Sequence, residues 1–359
     1  MNTMANTSSE SIAESCAYYK PGTYFEIDTL FIPAHEWPFA LIDLALSRGV
    51  EEHKLLRGTG IFLTDIASRK LMLSPQQCFQ LIHNMQKHIH SHELSFLLGH
   101  RLFSTLDKHA ATALYKAANL QEAIDILILH QSQLTPLLNL RRCYERDRLV
   151  IYWQDACGAE STILFLLEMM STALSALTRW RSGENLPWQF YFTQSKPVYI
   201  EQYDVHLNNQ LQFSSQTNAM AIARDYLYIP WKNTDVAQLP NAIGTVDSHQ
   251  QSSPFQQGFL SAIYNYLHQN IQHNPKLEQT AVAFDMSSAS LKRKLKKHHS
   301  HFQEQYDLVR KDLAIYWLNQ AGWSKEQVAQ KLHFYDVANL RRAFKKWTGR
   351  LPQTMEKTS

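Results

Sequence analysis

One local pattern occurs twice near the end of the chain, and it limits the possible folds more than any other feature. Residues 277–297 read LEQTAVAFDMSSASLKRKLKK, and residues 324–347 read SKEQVAQKLHFYDVANLRRAFKKW. Each copy opens with a short helix that carries a small residue, Ala281 or Ala329, on its inner face. Each turns four residues later, at Asp285 or His333, and each closes with a longer helix studded with Lys and Arg. The pattern predicts two helix-turn-helix units whose second helices are basic.

Side-chain spacing separates the inner from the outer residues of those second helices. In the first copy Leu291 and Leu295 lie four apart and are expected in the core, so Lys292, Arg293 and Lys296 project outward. In the second copy Leu340, Phe344 and Trp347 form the inner face. Asn339, Arg341, Arg342, Lys345 and Lys346 remain outside. Ser287 and Asp336 are the expected N-caps. A helix fits the major groove of DNA, where Arg pairs with guanine and Asn with adenine. Lysines further out hold phosphates, which set register without reading sequence. Arg293 and Arg342 are therefore the first candidates for base reading, with Asn339 and Arg341 next. Lys296, Lys297, Lys345 and Lys346 are candidates for phosphates, and Ser288 and Lys292 complete the candidate set. A solvated basic face is the plain alternative for one such helix. Its recurrence 48 residues on, across one connecting helix over 306–321, argues against that alternative. A rigid connector of that length can set two reading helices about 34 Å apart, one turn of B-DNA.

Charge divides the chain in the same way. From residue 255 onward there are 16 Lys+Arg against 8 Asp+Glu, a net +8, whereas the first 254 residues hold 19 against 24, a net −5. A small basic module joined to a mildly acidic one is the footprint of a nucleic-acid binder with a separate sensing or assembly domain. The four cysteines, Cys16, Cys78, Cys143 and Cys157, form no CxxC pair, which suits buried, reduced thiols in a cytoplasmic protein. No uninterrupted run of about 18 apolar residues is present, so neither a transmembrane helix nor a membrane partner is expected.

The expected organisation is a disordered tail over 1–20, an α+β domain for ligand sensing and dimerisation over 21–231, a linker over 232–254, and an all-α domain with two helix-turn-helix units over 255–359. The linker is polar and punctuated by Pro240, Gly244 and Pro254. In the α+β domain Ser74-Pro75 marks a helix start. Further helices are expected over 93–103, 108–118 and 121–133, the last capped by Asn119 or its neighbour. Residues 137–154 resemble a hairpin. A long helix over 160–181 is apolar on most faces, which implies burial against a sheet or a partner subunit and makes it a candidate dimer element. Three short strand-like runs, WQFYFT, NQLQFS and NAMAIA, finish the domain.

The tail of the chain resembles the double helix-turn-helix domain of the AraC/XylS family of bacterial transcription regulators. The resemblance runs through Leu277, Ala281, Met286-Ser287, Leu291 and Phe302, then Arg310 and Ala314. It continues with Val328-Ala329, Leu332, Phe334, Arg342-Ala343-Phe344-Lys345, Gly349 and Pro352. The chain departs from the family where glycine is usual at the two turn positions, Asp285 and His333. It also has Leu340 in place of a usual Phe, and His298-His299-Ser300 in a loop that usually contains Gly. The segment LIDLALSRGVEEHKLLRGTGIFLTD is similar to the opening of the arabinose-binding-type N-terminal domain of one branch of that family. So are Leu94, Leu97-Leu98-Gly99-His100-Arg101, Leu120-Gln121-Glu122-Ala123 and the run ending Leu227-Tyr228-Ile229-Pro230. The resemblance implies a regulator that binds double-stranded operator DNA, responds to a small-molecule effector, forms a homodimer and, if an activator, contacts RNA polymerase. Arabinose itself is not implied.

Other residues admit sharper readings. Tyr152, Trp153, Phe165, Trp180, Trp188, Phe190 and Phe192 are candidate pocket liners. Most aromatics of this kind are core, and alternating residues of one strand cannot all face one cavity. His83, His88, His90 and His92 cluster, and His88 with His92 at helical spacing could ligate a metal. A metal-dependent enzyme built on His83, His88 and His92 is one alternative. A non-DNA-binding interaction scaffold with degenerate helix-turn-helix units is another. Arg142 and Arg146 could grip a phosphate, or merely form a basic hairpin face. No G-x-S-x-G, HExxH or paired-carboxylate helix occurs, so the sequence points to no catalytic residues, no metal and no cofactor.

Overall fold

The computed structural model describes residues 23–106, 109–208, 210–232 and 254–352. The expected tail over 1–20 and nearly all of the expected linker, residues 233–253, lie outside the described residues. The described residues divide into two compact units, one over Phe25–Gly258 and one from Phe259 onward that also takes in Tyr24.

The first unit is α+β, with most helices preceding the sheet. Its main helices are α1 (Trp37–Ser47), α2 (Pro75–His88), α3 (Leu94–Arg101), α4 (His109–Lys116), α5 (Leu120–Leu129), α6 (Ile163–Ser182) and α7 (Ile200–His206). The Ser74-Pro75 signal sets the start of α2. Ser74 Oγ accepts from Gln77 N at 3.3 Å while Gln77 Oε1 accepts from Ser74 N at 2.9 Å. That reciprocal pair satisfies two amides that the first turn leaves open. Asn119 caps α5 by accepting from Glu122 N at 2.9 Å. Helices α1 and α7 are absent from the sequence reading. In α1, Pro38 stands at the start, where its missing N–H costs nothing, and Leu41, Ile42, Leu44 and Ala45 are buried.

The sheet holds β1 (Leu138–Tyr144), β2 (Arg148–Asp155), β3 (Gln189–Tyr191), β4 (Leu211–Gln212) and β5 (Ala219–Ala223), in the spatial order β1-β2-β5-β3-β4. The expected hairpin is β1–β2, paired from Leu138 opposite Asp155 to Tyr144 opposite Leu149. Strands β3 and β4 are parallel, and the other pairs antiparallel. Alternation sends Leu138, Leu140, Leu149, Ile151, Trp153, Phe190, Met220 and Ile222 into the main core. Val150, Tyr152, Tyr191, Ala219 and Ala221 gather on the opposite face.

Helix α6 is the centre of this unit. By length and composition Glu160–Ser182 could cross a membrane, yet most of its apolar stretch is buried inside the unit. Its apolarity on several faces is thus satisfied within one subunit, and gives no reason to place it at a dimer interface. Helix α3 crosses it closely. A Cβ at Gly99 would lie 2.5 Å from the Met169 carbonyl oxygen and 2.7 Å from Thr172 Cβ, so only glycine fits there. Glu168 is buried within α6. Ser95 Oγ at 2.6 Å and the hydroxyls of Tyr199 (3.2 Å) and Tyr203 donate to it. Burial pushes its carboxyl above the usual range, and the three donors oppose that shift. Cys78, Cys143 and Cys157 are buried and unbridged, and burial pushes the Cys143 thiol up to about 12.

The second unit is helical: α8 (Phe259–Gln269), α9 (Leu277–Ala283), α10 (Ser288–Lys297), α11 (Phe302–Asn319), α12 (Lys325–Lys331) and α13 (Val337–Thr348). Its core joins Phe259, Ile263 and Leu267 of α8 to Val309, Leu313 and Leu318 of α11. The residues that depart from glycine in the sequence, Asp285, His333 and His299, have φ of 54°, 56° and 54°. All three close a helix in the same manner. Met286 N donates to Ala281 O at 3.0 Å, Phe334 N to Ala329 O at 2.9 Å, and Ser300 N to Leu295 O at 2.9 Å. This six-to-one bond needs a left-handed residue inside it, which is why glycine is the usual solution. Here His333 gains a side-chain bond that glycine lacks, its Nε2 donating to Ile271 O at 3.0 Å. His298, which follows α10, is fully buried, and its ring lies 4.7 Å from that of Phe259.

Two outcomes are expected from equilibrium urea unfolding of the purified chain. Glu168→Ala leaves three hydroxyls without their acceptor and lowers stability by about 2–4 kcal/mol, whereas Glu168→Gln keeps an acceptor for the tyrosines and costs about 1 kcal/mol or less. Asp285→Gly relieves a left-handed backbone and raises stability by about 0.5–1 kcal/mol. A loss on Asp285→Gly would show that the Asp side chain contributes more than its backbone costs.

Candidate nucleic-acid interface

Both basic helices are set by their first residues. Ser287 Oγ accepts from Ser290 N at 3.1 Å to open α10, and Asp336 Oδ1 accepts from Asn339 N at 2.7 Å to open α13. Each bond satisfies an amide that the first turn cannot pair, so each helix has a defined starting point and a defined face. Helix α13 ends at Gly349, whose φ is 72° and whose N–H returns to Lys345 O.

The inner faces are dry. Leu291, Leu295 and Leu340 are fully buried and Phe344 nearly so, against the small residues Ala281 and Ala329 of the helices that precede them. Burying two large side chains one turn apart stabilises each helix seat by roughly 1.5–3 kcal/mol per residue. The opposite face then has no choice of direction. Lys292, Arg293 and Lys296 on α10 are exposed, as are Arg341, Arg342, Lys345 and Lys346 on α13. Ser288 and Asn339 sit half-buried in the first turns of their helices.

Arg342 and Asn339 are linked directly, Arg342 Nη2 donating to Asn339 Oδ1 at 2.8 Å. The pair lies three residues apart on one helix and holds the guanidinium over the N-terminal half of α13. While that bond stands, the Asn339 oxygen is occupied and its NH₂ remains for another acceptor.

The sequence reading passes over several residues that shape this surface. Tyr335 is 95% exposed, one residue before the N-cap of α13. Lys294 turns inward instead of joining its basic neighbours, its Nζ lying 5.7 Å from the Tyr24 ring centre and 5.9 Å from that of Phe259. Tyr24 packs on Phe259 and Phe284 at 5.3 and 5.9 Å, so a residue more than 230 positions away completes the first basic unit's core. No local pattern signals such a contact.

The histidine cluster does not assemble. Helix α2 ends at His88 and the chain becomes extended at Ile89, so His92 no longer shares a helical face with it. His83 and His88 point to solvent, while His92 stacks on Tyr199 at 4.1 Å. Among the described residues, no three His, Cys, Asp or Glu side chains come together in a way that would hold a metal ion. The Arg142–Arg146 pair is likewise divided. Arg142 pairs with Asp125 of α5, and Arg146 lies in the hairpin turn.

Comparison with known proteins identifies the family. The family described as the arabinose-binding domain of AraC transcription regulators matches residues 49–231, and a helix-turn-helix domain family matches residues 280–358. A curated relative, the ornithine utilization regulator of Pseudomonas aeruginosa, is 25% identical over 314 residues, covering 87% of this chain and 93% of the relative. Among solved structures, the transcriptional regulator CdpR of Pseudomonas aeruginosa aligns with a TM-score of 0.40 and 17% identity, covering 88% of this chain and 96% of that one. A DNA-binding transcriptional dual regulator from Escherichia coli aligns over 25% of this chain and 81% of its own, with a TM-score of 0.24 and 23% identity. The chain belongs to the AraC family of transcription regulators, with an arabinose-binding-type N-terminal domain and a helix-turn-helix DNA-binding domain.

Proposed function

We propose that this chain reads operator DNA with α10 and α13, Arg293 and Arg342 contacting base edges and Asn339 and Arg341 assisting. Lys296 and Lys345 hold phosphates, and Ser288 and Lys292 complete the contact surface. One observation carries this reading: two capped helices, each buried along one side by a pair of large apolar residues, expose all of these cations on the other. Guanidinium groups suit the paired acceptors of guanine, whereas ammonium groups act as point charges on phosphate.

The proposed organisation places effector sensing and dimerisation within 21–231, a linker over 232–254 and DNA reading within 255–359. The protein acts in the cytoplasm as a homodimer. A small-molecule effector binds one of two conformations more tightly and so shifts operator occupancy. If the chain is an activator, RNA polymerase is a further partner.

A salt-titrated gel shift on the promoter DNA of its own gene tests the assignment. Arg293→Ala or Arg342→Ala is expected to cost about 1–3 kcal/mol and to relax preference at specific base pairs. Lys345→Ala is expected to weaken binding to every sequence alike and to reduce the salt slope by about one. Equal losses from Arg and Lys variants on all sequences would overturn the division of roles. No retention of DNA even at low salt would favour an interaction scaffold instead.

A further inference from the structure

The two basic helices are entered differently. From the left-handed residue of the turn to the N-cap, the first unit has one residue, Met286 between Asp285 and Ser287, and the second has two, Phe334 and Tyr335 between His333 and Asp336. The buried positions register the difference. Ala281 and Ala329 are 48 positions apart, whereas Leu291 and Leu340 are 49 apart. Phe334 matches Met286, since each is half-buried and packs on the core of the unit. Tyr335 is the residue without a counterpart.

Its direction follows from its neighbours. Phe334 is turned inward, its ring 5.9 Å from that of Trp347 and its centre 3.6 Å from the Arg310 guanidinium. Asp336 is extended, and its carboxylate is turned back to accept from Asn339 N. In extended chain successive side chains point opposite ways, so with Phe334 facing the core Tyr335 faces away from it. At 95% exposure, the rest of the chain covers almost none of this side chain. A single exposed aromatic says little on most protein surfaces. This one stands at the tip of α13, the end that a helix-turn-helix presents to the major groove.

Resting on the DNA reading above, we infer that Tyr335 anchors α13 to the DNA backbone, its hydroxyl donating to a phosphate oxygen at the lip of the groove. Charge favours this role. Helix α10 is opened by Ser287, with Ser288 and Ser290 in its first turn, and none of the three is charged, so a phosphate can come close to its end. Helix α13 is opened by Asp336, whose carboxylate repels a phosphate at the same place. A hydroxyl carried one residue further out, on a long ring, reaches a phosphate held away from that carboxylate. Tyrosine suits the task, because its two side-chain torsions lose little freedom on docking. Tyrosine hydroxyls also position proteins on a duplex through phosphates, without reading sequence. Tyr335 lies ahead of α13 and Lys345 near its far end, roughly 15 Å along the axis. The two therefore bracket Asn339 and Arg342, which lie between them.

Gel shifts on the full chain use two duplexes of equal length, the promoter DNA of its own gene and a scrambled version of it, each titrated with salt. Tyr335→Phe is expected to weaken both alike, by about fivefold, with the salt slope unchanged because a hydroxyl carries no charge. Lys345→Ala, by contrast, lowers the slope by about one. Ethylating single phosphates should reveal one whose modification weakens the parent chain and leaves Tyr335→Phe unaffected. Because the side chain is exposed, neither Tyr335→Phe nor Tyr335→Ala disturbs folding. The inference is overturned if Tyr335→Phe binds both duplexes like the parent. A loss in Tyr335→Ala alone would then assign the contact to the ring, and no loss in either variant would leave the tyrosine to a protein partner. A loss confined to the promoter duplex overturns it too, by making Tyr335 a base reader. The parent and Arg342→Ala run alongside. If the parent retains neither duplex at low salt, the DNA reading fails and the anchor falls with it. If the parent binds, Arg342→Ala loses sequence preference and Tyr335→Phe changes nothing, the anchor alone is removed.

Discussion

The second basic helix, α13, depends on how the connecting helix α11 grips the turn in front of it. Arg310 donates from both Nε and Nη2 to the Leu332 carbonyl, at 3.0 and 2.7 Å, where α12 has run out of amides to satisfy its last carbonyls. The same guanidinium lies 3.6 Å from the centre of the Phe334 ring. A planar cation with two forked donors meets both demands at once, which a lysine cannot. Its positive charge also sits at the negative end of the α12 dipole. The direction in which Arg341, Arg342 and Lys345 point is thus set by a residue that belongs to neither helix of the motif.

The first unit solves a different problem, that of burying one very apolar helix inside a single chain. Helix α6 is covered by α3, the sheet and α7, and the polar atoms it carries inside are answered in place. Glu168 receives three hydroxyls, Thr178 accepts from Trp188 Nε1 at 3.1 Å, and Arg181 reaches the Ala117 carbonyl at 2.8 Å. Such satisfied contacts fix one packing among the many that apolar surface alone would allow.

Much of the helical unit was legible because its signals are local. Ser287 and Asp336 are N-caps by residue type and position, and Leu291, Leu295, Leu340 and Phe344 mark the inner faces by spacing. Ser74-Pro75, Asn119 and the hairpin before residue 155 were legible for the same reason. The failures share a cause too. Histidines at helical spacing meant nothing once α2 ended at His88. Of the aromatics considered as pocket liners, Phe165, Trp188, Phe190 and Phe192 are core, and Trp180 packs against it. Composition cannot tell these apart, because all are large, apolar and buried.

What the sequence determined by itself is the set of local choices: where helices start, which residues turn inward, and that two basic helices recur with the same turn before each. Those depend on neighbours within about four positions. Only the tertiary structure decided that His333 would bond to Ile271, that Tyr24 would close a core with Phe259 and Phe284, and that Gly99 would bring α3 against α6. Each of these depends on which distant segments come into contact, and that is settled by the joint packing of the whole unit, not by any one stretch of chain.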